Sequence, residues 1–225
     1  MKESEWLSCA DVFDLWDSSP LGNSATDRQY RLFAAACCRR IWQWMPDDRA
    51  RRAVETLERF ADGLCGAEER QVTLDALVGE DEDDAVQDGP HTRAMTAAIL
   101  CAGDNGCDSL RLADEVAESC AGAAAVASGI FDRSIFVAEQ KHQCDLTRDM
   151  FCNPFRPVQF LPDWRTSSVS AIASRIYDSR EFAVMPILAD ALEDAGCDNI
   201  DLLAHCRGTG PHVRGCWAID LILDK

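Results

Sequence analysis

Hydrophobic positions along this chain recur mostly at spacings of three and four, the signature of helices that bury one face. Residues 3–16 carry Trp6, Leu7, Val12, Phe13 and Trp16, enough for one or two short helices, and Pro20 and Gly22 then mark a loop. Thr26 or Asp27 caps a stronger helix, whose stripe is Tyr30, Phe33, Cys37, Ile41 and Trp44. Pro46 followed by Asp47 and Asp48 signals the next start, since proline fits a first helical turn and acids suit its positive end. Ala50, Val54, Leu57, Ala61 and Leu64 form its stripe, and Gly63 and Gly66 stop it. The short connection predicts an antiparallel hairpin, followed by a less amphipathic helix over 67–78.

The segment GEDEDDAVQDGP, residues 79–90, has almost no apolar content and is expected to be an exposed loop or a boundary. Its aspartates do not follow the calcium-loop pattern, which needs a central glycine and a terminal glutamate. Alanine-rich helices are expected over 92–102 and 109–128, the second with Ala121, Gly122, Ala123 and Ala124 permitting close helix approach. The next helix, 132–150, is assigned the stripe Phe131, Ile135, Ala138, His142, Leu146 and Met150. That stripe places Glu139 three residues before His142, the spacing of carboxylate-bridged di-metal bundles. Such sites need a second pair and two further glutamates, so a hydrogen-bonded core histidine is the better reading.

Asn153-Pro154-Phe155-Arg156-Pro157 ends that helix, because prolines forbid its continuation. Thr166 or Ser167 caps a helix to Tyr177 with Val169, Ile172, Ala173 and Ile176 inward. Gly196 reads as the glycine ending a helix over 186–195, Asp198 as the cap of the next, and residues 206–211 as a turn. His212 or Val213 is expected to open a last helix through Trp217 and Leu221. The expected fold is therefore all-α: an orthogonally packed multi-helix bundle of eight to ten helices. Its expected parts are a helical subdomain 1–78, the acidic loop 79–90 and a helical subdomain 91–225, packed as one unit.

Composition narrows the function. A net charge of −17 disfavours nucleic acid, whose phosphates demand dense cations, and no apolar run is long enough to span a membrane. The N-terminal MKESEWLSC lacks the apolar core of a secretory signal, so a cytoplasmic protein is expected. The twelve cysteines are scattered without a CxxC pair, which favours reduced, buried thiols over a disulfide framework. The positive charge is nearly all arginine, and Arg31, Arg39 and Arg40 are candidates for binding a protein partner.

Four stretches resemble a family of uncharacterised bacterial proteins: EWLSCAD, RQYRLFAAACCRRIW, FCNPFRP, and LADALEDAGC with LAHCRGTGPHVRGCW. The resemblance implies a bacterial origin and no assigned activity. It also implies glycine where Cys152 stands, which argues against a ligand role for that thiol.

The tail holds the candidate chemistry. His205, Cys206, His212 and Cys216 are the residue types that zinc takes in tetrahedral geometry, although their spacing matches no finger or ribbon. His205 and Cys206, being adjacent, must diverge, and one of them would close across loop 208–210 onto His212 and Cys216. Arg207 and Arg214, with Gly208 and Gly210, are weaker anion-binding candidates, since GTGPHVRG lacks the lysine-serine of a P-loop. No GxSxG, HExxH or Rossmann fingerprint occurs, so the sequence makes no positive case for an enzyme. The leading expectation is a cytosolic interaction or adaptor protein with an acidic surface. A zinc-supported helical domain built on the His/Cys cluster is the second reading. An acidic immunity-type inhibitor of a basic toxin is the third.

Overall fold

A computed structural model describes residues 1–23, 25–78, 89–103 and 109–225. The protein is an all-α helical bundle, and no strand occurs among the described residues. Twelve α-helices are described: α1 Glu3–Ser8, α2 Val12–Ser18, α3 Asp27–Arg40, α4 Asp48–Ala61, α5 Ala67–Val78 and α6 Pro90–Ala102, then α7 Ser109–Ala125, α8 Arg133–Phe151, α9 Ser167–Ser179, α10 Met185–Asp194, α11 Ile200–Arg207 and α12 Trp217–Leu223. The excess over eight to ten comes from short helices, such as the separation of α1 from α2. Most of the acidic segment, residues 79–88, lies outside the described residues, so the loop expected there is not described.

The chain divides by its contacts into two compact units, Met1–Cys144 and Asp145–Lys225. In the first, α3 packs on α4, α6 and α7, and α4 also packs on α5 and α6. Helices on both sides of residues 79–88 thus share one unit, and the division falls inside α8 instead. Thr26 caps α3 through a reciprocal box with Gln29, and Asp47 caps α4 by accepting from the Arg49 and Ala50 N–H groups. Tyr30, Phe33, Cys37 and Ile41 are buried as the stripe predicts, as are Ala50, Val54 and Leu57 on α4. Leu64, placed on the same stripe, lies past the end of α4 and is exposed. Arg93 crosses Gly122 on α7 so closely that a Cβ there would strike its guanidinium.

Helix α8 turns a different face inward from the one its apolar residues suggest. Phe131, Ile135, Ala138 and His142 are exposed, whereas Glu139, Gln143, Thr147 and Asp149 are buried with Leu146 and Met150. His142 is therefore not a core histidine. Glu139 is committed to a two-pronged ion pair with Arg40 (Nη2–Oε2 2.8 Å), and Gln143 donates to the Ala117 carbonyl at 2.8 Å. A face lined with polar side chains carries no hydrophobic periodicity, so the apolar pattern marks a stripe about one residue, roughly 100°, around the helix from the buried one.

The second unit consists of the end of α8, an irregular segment, and α9 to α12. Ile176, Leu188, Leu192, Leu202, Cys206 and Ile219 form its core. Helix α8 stops at Cys152, whose φ of +59° is the left-handed conformation that glycine adopts without cost. Helix α10 ends in a Schellman motif: Gly196 at φ +83° donates to the Glu193 carbonyl and Cys197 to that of Leu192, each at 2.9 Å. The cap of α11 is Asn199, not Asp198, its side chain accepting from Leu202 N–H at 2.9 Å. The last helix begins at Trp217, later than expected, because residues 212–216 form a turn in which Gly215 takes a φ of +91°. Arg165 closes the far end of α12 by donating to the Leu221 and Ile222 carbonyls.

Candidate metal centre

Four donor side chains from three parts of the second unit converge on one point: Asp149, His205, His212 and Cys216, with ligand atoms all within 4.8 Å of one another. Asp149 comes from the last turn of α8, His205 from the last turn of α11, and His212 and Cys216 from the turn leading into α12. His212 and Cys216 do not share a helix face. The turn closed by Cys216 N–H donating to the Val213 carbonyl (2.9 Å) brings them together.

Asp149 sits at the centre. Its Oδ1 lies 2.8 Å from His212 Nδ1 and 3.3 Å from His205 Nε2, and its Oδ2 accepts from the Val213 N–H at 3.0 Å. The side chain is only 2% exposed, and burial alone would favour the neutral acid. Hydrogen bonds and charge from His205 and His212 outweigh that burial and hold the carboxyl below its ordinary value. Cys216 is fully buried, with Sγ 3.1 Å from His205 Nε2 and 3.9 Å from His212 Nδ1. Burial, reinforced by the Asp149 charge, pushes this thiol well up, so as a free thiol it is a poor nucleophile.

Cys206 is not part of the cluster. It lies in the core of the unit, where burial pushes its thiol up to about 12. Of the four metal candidates in the sequence, three thus meet, and Asp149 takes the place given to Cys206. Asp149 was not among the sequence candidates, although two signals could have found it. It stands three residues after Leu146 and seven after His142, hence near the stripe assigned to α8, and it is an acid in a last helical turn, where the dipole disfavours it.

A cleft of about 390 Å³ opens beside the cluster, lined by Asp145, Arg148, Asp149, His205, His212 and the loop residues Gly208, Gly210 and Pro211. Arg148 also pairs with Asp145 at 2.8 Å. The anion candidates lie elsewhere: Arg207 is exposed and paired with Asp190 and Glu193, and Arg214 stacks over Tyr177 at 4.7 Å.

The protein-binding candidates in the first unit have partners inside it. Arg39 donates twice to Glu58 at 2.8 Å and lies 4.5 Å over the Trp42 ring. Arg40 holds Glu139, and Arg31 lies over Phe60 with Asp27 at 3.6 Å.

No protein-family model, curated protein or solved structure matches the chain.

Proposed function

We propose that the C-terminal unit is a metal-supported helical domain that holds one divalent transition metal, zinc by its donor set, on Asp149, His205, His212 and Cys216. The observation that carries this reading is the convergence of two imidazoles, a thiol and a carboxylate, drawn from positions up to 67 residues apart, on a single buried point. Zinc bonds of the usual length put tetrahedral ligands about 3.3 Å apart for nitrogen–oxygen pairs and about 3.6 Å for nitrogen–sulfur pairs. The four measured separations, 2.8, 3.3, 3.1 and 3.9 Å, scatter on both sides of those values. The Val213 N–H on Asp149 Oδ2 is the kind of outer support that fixes a ligating carboxylate and leaves its other oxygen for the metal. A soft thiolate with imidazoles favours zinc over calcium or magnesium, which take oxygen ligands.

One contact supports a second reading. The Trp217 indole N–H donates to His205 Nδ1 at 3.2 Å, and an indole nitrogen only donates. A neutral His205 then carries its proton on Nε2, directed at Asp149 and Cys216. In that state the four groups form a hydrogen-bonded cluster that closes the unit without metal. Zinc at Nε2 would move the proton to Nδ1 and dismiss the Trp217 contact.

Elemental analysis separates the two. Protein purified without a histidine tag, under reducing conditions, is expected to carry about one zinc per chain. Metal well below stoichiometry, not restored by adding zinc, would leave the hydrogen-bonded cluster as the correct description. The adaptor reading keeps only the acidic surface, since Arg39 and Arg40 are engaged with Glu58 and Glu139.

A further inference from the structure

We infer that the metal centre is open to the cleft, and that it takes as an external ligand a small oxyanion, a carboxylate or phosphate bound through oxygen. This rests on the metal reading above and adds to it that the site is a binding centre and not only a staple. The four donors are not arranged alike. Cys216 is fully buried and absent from the cleft lining, so its sulfur forms the floor. Asp149, His205 and His212 all line the cleft, so a metal held by the four has its approach from that side. Zinc expands from four ligands to five when one is presented in this way.

The walls suit an oxyanion. The Arg148 guanidinium lines the cleft while it pairs with Asp145, and arginine is the side chain whose fork matches carboxylate and phosphate oxygens. Formal charges are balanced around the centre. Two positive charges on the metal and one on Arg148 face one negative charge each on Asp149, Asp145 and the Cys216 thiolate. An arriving anion therefore meets no net repulsion. Gly210, on the rim, leaves the mouth clear. A Cβ built there meets no atom within 4 Å, and its backbone is not in the left-handed region, so a larger side chain is tolerated.

Cobalt substitution tests this on the full chain. Cobalt(II) in the site gives visible bands that depend on coordination number and on sulfur ligation, and phosphate or acetate is then titrated separately. The expected result is a saturable change in those bands with at least one of the two anions, and the responsive anion identifies the class. Arg148→Ala is expected to weaken the response roughly tenfold, the worth of one charge-assisted hydrogen bond, with Arg148→Lys partly restoring it. Gly210→Leu is expected to retain cobalt and lose the response. Cobalt bands that neither anion moves would overturn the inference while leaving the metal reading intact. Anion-driven bleaching to the spectrum of the aqueous ion would overturn it too. Failure to take up cobalt at all would bring down both.

Discussion

Asp149 is a carboxylate held almost wholly out of water, and its neighbours decide how it remains charged. An isolated buried carboxylate is strongly disfavoured and stays ionised only with close donors or a cation. Here the donors are two imidazoles and one backbone N–H, and the adjacent thiol completes the candidate ligand set. The two cysteines nearest the question, Cys206 and Cys216, are both fully buried and ten residues apart, but only one faces the cluster. Cys216→Ala is therefore expected to cost more metal affinity than the roughly 10–100-fold that loss of an outer-shell partner costs. Cys206→Ala should bind zinc as the wild type does and lose only packing stability. Competition with a chromophoric chelator measures both, and equal losses in the two variants would contradict the assignment of ligands. At this scale the sequence was partly legible. His205 and His212 stood out because histidine is scarce in this chain, and Cys216 because it lies four residues from His212. Asp149 did not, since an aspartate is one among many in so acidic a chain and its partners lie 56 to 67 residues downstream.

Helices were legible where capping and apolar period agreed, as in α3 and α4. The cap of α4 offers a direct test. Burial alone would raise the Asp47 carboxyl, but the Arg49 guanidinium and the Ala50 and Arg49 N–H groups prevail and hold it below its ordinary value. A depressed folded-state pKa stabilises the helix fully above the unfolded value, near ~3.9, and that contribution is lost as pH falls through the folded value. Asp47→Ala is expected to destabilise by about 1 kcal/mol at neutral pH. Urea melts of both proteins at descending pH should show the gap closing below the ordinary carboxylate range, and a gap independent of pH would contradict this account. Between α3 and α4, the Arg39–Glu58 pair makes a second test, because Glu58 is only 3% exposed. Arg39→Ala leaves that carboxylate without its guanidinium and is expected to cost about 2–3 kcal/mol, below the full range for buried pairs because Arg39 is partly solvated. Adding Glu58→Gln should recover part of the loss. If the two changes simply added in a double-mutant cycle, the ion pair would not be what joins these helices. Helix α8 shows what pattern reading misses: its inward face is built from Glu139, Gln143, Thr147 and Asp149, whose partners lie on other elements. The start of α12 was misplaced for a related reason. Pro211 and the apolar Val213 look like a helix entry, but Gly215 at φ +91° turns the chain first.

Across the whole molecule, the expected boundary at the acidic segment and the observed division inside α8 reflect different physics. Composition marks where a chain is solvated, whereas a compact unit is defined by which apolar faces bury one another. No helix among the described residues is long and apolar enough to cross a membrane. The two units also differ in what holds them. The first has α3, α4, α6 and α7 packed on one another and rich in buried alanine and cysteine. The second is smaller and joins short helices through turns, with its donor cluster tying the end of α8 to α11 and to the entry of α12. The cluster joins three parts of this unit, so a metal bound there would add its binding free energy to this unit's stability. Removing metal from the full chain is therefore expected to act unevenly. Hydrogen exchange after chelation should show amides around 200–217 losing protection, with those of α3 and α4 unchanged. Restoring zinc should restore them. Equal loss of protection in both units would mean that the metal stabilises the molecule globally. Unchanged protection in both would mean that the hydrogen bonds around Asp149 hold the second unit together without metal.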